Sequence, residues 1–259
     1  MAYAVRPDMA DFLLEVCKHN IPYHSAVNKF GRNPDVDTAT DPEDVWDVGG
    51  IWVPPTQARI HNLASSSADD ASAGTGMRTV KVYGLTSWDT PEVNETVILN
   101  GVSAVATVNS YVIVHRMHGV TFGSGGLNAG TISATAVTDA TVTAQISIGK
   151  GQTLMAIYGI PSGKTLYMYQ WRAGMNRTGG AASSSDVELF VKSNADQADA
   201  GWTVKEHEGL VSTGISRFNL PFEPRFGVNG PAIVKVQVEN VTANDTDISA
   251  GFHGVLVGI

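Results

Sequence analysis

Residues 232–241, AIVKVQVENV, alternate with period two. Val234, Val236 and Val238 fall on one side, and Ile233, Lys235, Gln237 and Glu239 on the other. Side chains of a strand point to opposite faces in turn, so this stretch predicts a half-buried strand of an antiparallel sheet. The pattern extends outward from it. From residue 58 onward, short runs rich in Val, Ile, Thr and Tyr alternate with clusters of Gly, Asn, Asp and Ser. The runs include RTVKVYGL (78–85), SYVIVHRMHGV (110–120), TLMAIYGI (153–160), KTLYMYQWRA (164–173), DVELFVKS (186–193) and GFHGVLVGI (251–259). About a dozen strands of ordinary length, separated by turn signals, predict a mainly β chain of sandwich or barrel type.

Upstream the character differs. Asp8 is a candidate N-cap for MADFLLEVCKHN, which places Phe12, Leu13, Val16 and Cys17 on one helical face, with Cys17 expected as a buried small hydrophobe. Pro22 ends that helix. Residues 19–57 are rich in Pro, Asp and Gly and read as an extended, partly irregular arm. The arm carries Tyr23, Phe30, Trp46 and Trp52. Aromatic rings are costly to leave in water, so these four are expected to pack on the body of the chain or on a neighbouring subunit. The division expected is a helix and assembly arm over 1–57 and a β-sandwich body over 58–259.

Charged residues make up 16% of the 259 positions, so polar surface must come mainly from Ser, Thr, Asn, Gln and Gly. The formal net charge is −8, and no basic stripe appears. Nucleic-acid binding needs clustered Lys and Arg and is disfavoured. The single cysteine, Cys17, allows no intrachain disulfide. No apolar run approaches membrane-span length, and the first residues lack a signal-peptide core, so neither a membrane partner nor a standard secretion route is expected.

Several motifs resemble chemistry. YGIPSGKTLYMY (158–169) looks like a phosphate-binding loop, but the first glycine required is Tyr158 and the loop is one residue short. Pro161 removes an amide, and the residues that follow are β-prone where a helix N-terminus is needed. A hairpin turn fits better, with Pro161 at its first central position and Gly163 tolerating positive φ. His115 and His118 are three apart in a strand context, which points them to opposite faces and argues against joint metal binding. Asn33, Asp35 and Asp37 alternate as in a calcium loop, but Thr38 stands where glycine is needed, and an ordinary turn is also preferred for NDTDIS (244–249). No nucleophile elbow, zinc set or dinucleotide fingerprint occurs, so no catalytic, cofactor or metal residues are assigned and no enzyme is expected. Trp88, Trp171 and Trp202 are read as core, with exposed binding aromatics as the alternative.

FGRNPDVDTATDPEDVWDVGG, SSSADDASAGTGMRTVKVYGL, ETVILNG and IPSGKTLYMYQW together resemble structural proteins of tailed-bacteriophage virions. The resemblance implies a jelly-roll-like antiparallel β-sandwich with an N-terminal helix and extended arm. It implies a capsid decoration (cement) protein that binds neighbouring capsid subunits, with a tail or head-fibre component gripping a host glycan or receptor as the alternative. It further implies a homo-oligomer such as a trimer, assembled in the bacterial cytoplasm and ending in the virion.

Overall fold

The computed structural model describes residues 12–177, 182–212 and 215–258. Asp8, the candidate helix cap, lies outside them. In chain order the elements are α1 (Phe12–Cys17), β1 (His24–Val36), β2 (Glu43–Asp44), β3 (His61–Ser65), β4 (Met77–Leu85), β5 (Val93–Ile98), β6 (Val105–Ala106), β7 (Ile113–Phe122) and β8 (Ile132–Ala136). They continue with β9 (Val142–Ile146), β10 (Ile157–Ile160), β11 (Lys164–Arg177), β12 (Ser183–Ser193), β13 (Trp202–Ser212), β14 (Ile215–Asn229), β15 (Ala232–Val241) and β16 (Thr246–Gly258). The β character and most strand positions match the sequence pattern, and Ala232–Val241 is a strand over its whole predicted length.

The architecture differs from the jelly roll. The strands form four separate antiparallel sheets, in the orders β1-β16-β11-β14, β10-β15-β12-β13 with β2 beside β15, β6-β3-β8-β9, and β5-β4-β7. Two apolar cores hold them. One gathers the β1/β16/β11/β14 and β10/β15/β12/β13 sheets around Trp171, Phe252, Leu189 and Val236. The other gathers the two smaller sheets around Leu63, Met117, Ile132 and Tyr111. Strand rhythm marks where strands are and carries no information on which sheet each joins, so the expectation of a single two-sheet sandwich over 58–259 fails on topology.

The N-terminal segment is part of this body. β1 pairs with β16 along eleven register positions, from His24↔Val257 to Val36↔Thr246. Trp46 and Trp52 are buried in the second core, where the Trp52 indole N–H donates to Thr143 O at 2.9 Å. Of the two surfaces expected to receive the arm, these tryptophans use the chain's own. Phe30 is half-buried, and Tyr23 is 77% exposed. The described part of the helix is superficial. Only Val16 is buried among its described residues, and Cys17 is exposed, which corrects the expectation of a buried thiol.

β15 shows why its sequence understated its position. Val234, Val236 and Val238 enter the first core as the alternation requires. The other face is covered too: Ile233 joins the second core, and Lys235 and Gln237 are buried. Asp44 of β2 makes that possible, accepting from Lys235 Nζ at 2.6 Å, from Gln237 Nε2 at 2.9 Å and from Trp52 N at 2.7 Å. Lys235 Nζ also lies 4.6 Å from the Trp202 ring centroid. A strand with polar residues on one face can therefore sit between two cores, provided those residues are paired.

The 161–163 turn is real, but it is not a hairpin. β10 pairs with β15, and β11 pairs with β14 and β16, so the turn carries the chain from one sheet to another. Gly163 has φ of +70°, the left-handed geometry expected of it.

Candidate functional site: a basic cleft where the two cores meet

A cleft of about 440 Å³ opens where β1, β10 and β16 of the first core meet β4 and β7 of the second. Its size is in the range of small-molecule sites. Lys29, Glu92, His115, Arg116, Tyr158 and Lys164 carry its chemistry. A shallower depression of about 370 Å³ shares Ser25, Pro91, Pro161 and Lys164 with it and extends the groove to Tyr23.

Backbone packing fixes the floor. Gly31, two residues beyond Lys29, has Val45 O and Ala156 N at 2.3 and 2.4 Å from where a Cβ would sit, so only glycine lets β1 approach β10 this closely. That approach brings Lys29 beside β7. Lys29 is 3% exposed, and its Nζ donates to His115 O. Burial, reinforced by the charge of Arg116, pushes the Lys29 amine well below the ordinary lysine range, against the opposing pull of Glu92.

His115 is also buried, and its Nε2 lies 2.6 Å from Glu92 Oε2. Desolvation lowers the imidazole's pKa despite that partner. For Glu92, desolvation pulls upward, but the His115 hydrogen bond and the surrounding cations outweigh it and hold the carboxyl below its usual value. These directions agree on an ionised Glu92 accepting from neutral His115 Nε2–H. His115 Nδ1 is then a buried acceptor without a partner among the described residues. The Tyr158 ring packs on the imidazole with centroids 4.7 Å apart, and burial raises its phenol far above the normal range. Arg116 Nη2 donates to Asn28 O at 2.6 Å, which engages one of its five N–H donors.

His118 lines the same cleft but turns to a different partner. Its Nε2 meets Tyr83 Oη at 3.0 Å and its Nδ1 meets Gly119 O at 3.0 Å. The two histidines engage separate groups, but both line the one cleft, which corrects the expectation that alternation sends them to opposite faces.

Sequence reasoning missed the remainder of the site. Lys29 sits in a segment read as an arm, and Glu92 lies in an irregular stretch with no motif. The stretch weighed as a phosphate loop does contribute to the cleft, through Tyr158, Pro161 and Lys164, but without a helix N-terminus. Of the aromatics assigned to an assembly arm, Tyr23 reaches only the adjoining depression, while Trp46 and Trp52 are core. Trp171 is core as expected, and Trp88 and Trp202 pack against the second core.

Among the described residues, two side-chain groups have metal-compatible spacing. Asp35 and Asp37 are joined by Asp245, which unites the two stretches weighed separately as cation loops, and Asp186, His207 and Glu239 meet across three strands. The Asp35 carboxyl is pushed up by desolvation and by the neighbouring carboxylates. Most of these groups are solvent-exposed, where carboxylates commonly gather without an ion.

No protein-family model, curated protein or solved structure matches the chain. The resemblance to tailed-phage virion proteins therefore finds no support, and the four-sheet fold departs from the jelly roll it implied. The capsid decoration reading and its head-fibre alternative are corrected accordingly.

Proposed function

We propose that this protein is a binding protein whose basic cleft takes a small molecule bearing a carboxylate or phosphate group. The observation that carries this is a charge inversion. In a chain of net charge −8, the cleft sets the Arg116 and Lys164 cations, with polar N–H groups of Lys29 beside them, against Glu92, the one carboxylate among its described lining residues, which His115 already engages. A partly enclosed cleft of one sign concentrates ligands of the other and strengthens each contact by excluding water. Arg116 supplies the directional donors and Lys164 a mobile charge at the mouth.

Thermal-shift titration of the full chain tests this with inorganic phosphate, glyoxylate and, as a neutral comparison, glycerol. The anions should raise the melting temperature saturably and glycerol should not. Arg116→Ala should weaken binding by about 10-fold or more, the loss of roughly 1.5–3 kcal/mol expected for a charge-assisted hydrogen bond. Equal shifts in wild type and Arg116→Ala would place the anion elsewhere and refute the proposal.

A further inference from the structure

The cleft contains a group that anion binding alone does not require. Lys29, on β1, lines the cleft together with Glu92, His115 and Arg116, and its amine donates to His115 O. Its one described hydrogen bond is to a backbone carbonyl, His115 O, and it has no carboxylate salt bridge among the described residues. A structural buried lysine is normally paired with an acid, as Lys235 is with Asp44. Lys29 is instead left without an acid, its amine pushed well below the ordinary lysine range by burial and by Arg116, a cation that would orient an anionic substituent. A desolvated lysine next to another cationic group is the arrangement that makes an amine nucleophilic at neutral pH.

We propose that Lys29 Nζ forms a reversible imine with an aldehyde or ketone whose carboxylate or phosphate is held by Arg116 and Lys164. This rests on the anion-binding role of the cleft and adds its ligand class, an anionic carbonyl compound. The Nζ lone pair forms a bond to the carbonyl carbon as the carbonyl π bond breaks onto oxygen. Proton transfer from nitrogen to that oxygen gives the carbinolamine. Protonation of its hydroxyl, loss of water and loss of the remaining N–H proton give the imine. Amine plus carbonyl becomes imine plus water with no change in oxidation level, and hydrolysis reverses it. His115, whose backbone carbonyl accepts from the amine, is hydrogen-bonded to the solvent-facing Glu92, and this pair can relay the protons.

Reductive trapping reads this out on the intact chain. Wild-type protein is incubated with glyoxylate and sodium cyanoborohydride, digested and mapped by mass spectrometry. Lys29 should be modified saturably, at least 10-fold faster than exposed lysines such as Lys18 and Lys205, and inorganic phosphate should suppress the adduct. Lys29→Met should lose it. Should that variant fail to fold, site mapping in the wild type decides alone. Adducts confined to exposed lysines, while phosphate still raises the melting temperature in an Arg116-dependent way, would overturn the imine and leave anion binding standing. Absence of both signals would overturn both.

Discussion

At the residue scale, Lys29 gives the clearest prediction of pH dependence. Unfolding returns its amine to water and to its ordinary value of 10.5, whereas the native site lowers it. Between those two values the unfolded chain holds the extra proton, so Lys29's contribution to stability improves as pH rises through that window and levels off above 10.5. The groups facing it are Arg116, Glu92 and His115. Urea unfolding of wild type and Lys29→Met at about pH 7.5 and about pH 10 should show the wild type gaining stability relative to the variant at the higher pH. A constant difference would mean that Lys29 is charged in the native state. Trp52 makes the complementary point about packing. It is 2% exposed, with its indole N–H satisfied, so Trp52→Ala should cost about 3–5 kcal/mol in urea unfolding. A loss below about 1 kcal/mol would mean the ring is not part of the core. The aromatic character of this segment was legible in the sequence. Its destination was not, because an apolar ring needs a dry surface and the sequence does not say whose.

At the element scale, β15 was the most legible strand and still held a surprise. Period-two alternation identified it over Ala232–Val241, and the valine face lies in a core as predicted. The polar face was expected in solvent because Lys and Gln are rarely buried. It is buried because β2, only two residues long, delivers Asp44 from nearly two hundred positions upstream. Local pattern carries no trace of so distant a partner. Asp44→Ala would leave Lys235 buried and unpaired, at a cost of about 3–5 kcal/mol, whereas Asp44→Leu combined with Lys235→Met should recover most of that loss. Denaturant midpoints of the two variants check this, and equal destabilisation in both would show that the pair is not the source of the cost. The Pro161–Gly163 turn behaved similarly. Its conformation was readable from proline and glycine, but its role as a link between sheets depends on β10 and β11 finding different neighbours.

At the scale of the whole molecule, the arrangement of four sheets around two cores explains why the cleft exists. β1, β10 and β16 approach from one side and β4 and β7 from the other, with Pro91 and Glu92 of the segment before β5 beside them. Gly31 permits the tight approach at the seam. The cleft's residues are scattered from Ser25 to Leu256, so no contiguous motif could announce it. What composition did show was an acidic chain without a basic stripe, which makes a basic cleft the more informative. The measurement that tests the central claim most directly is an amide chemical-shift titration of isotope-labelled protein with inorganic phosphate. Saturable shifts should centre on Asn28–Lys29, Glu92, His115–Arg116 and Lys164, and should weaken together in Arg116→Ala. Shifts that fail to saturate, or that centre on residues outside this cleft, would contradict the assignment of the cleft as the functional site.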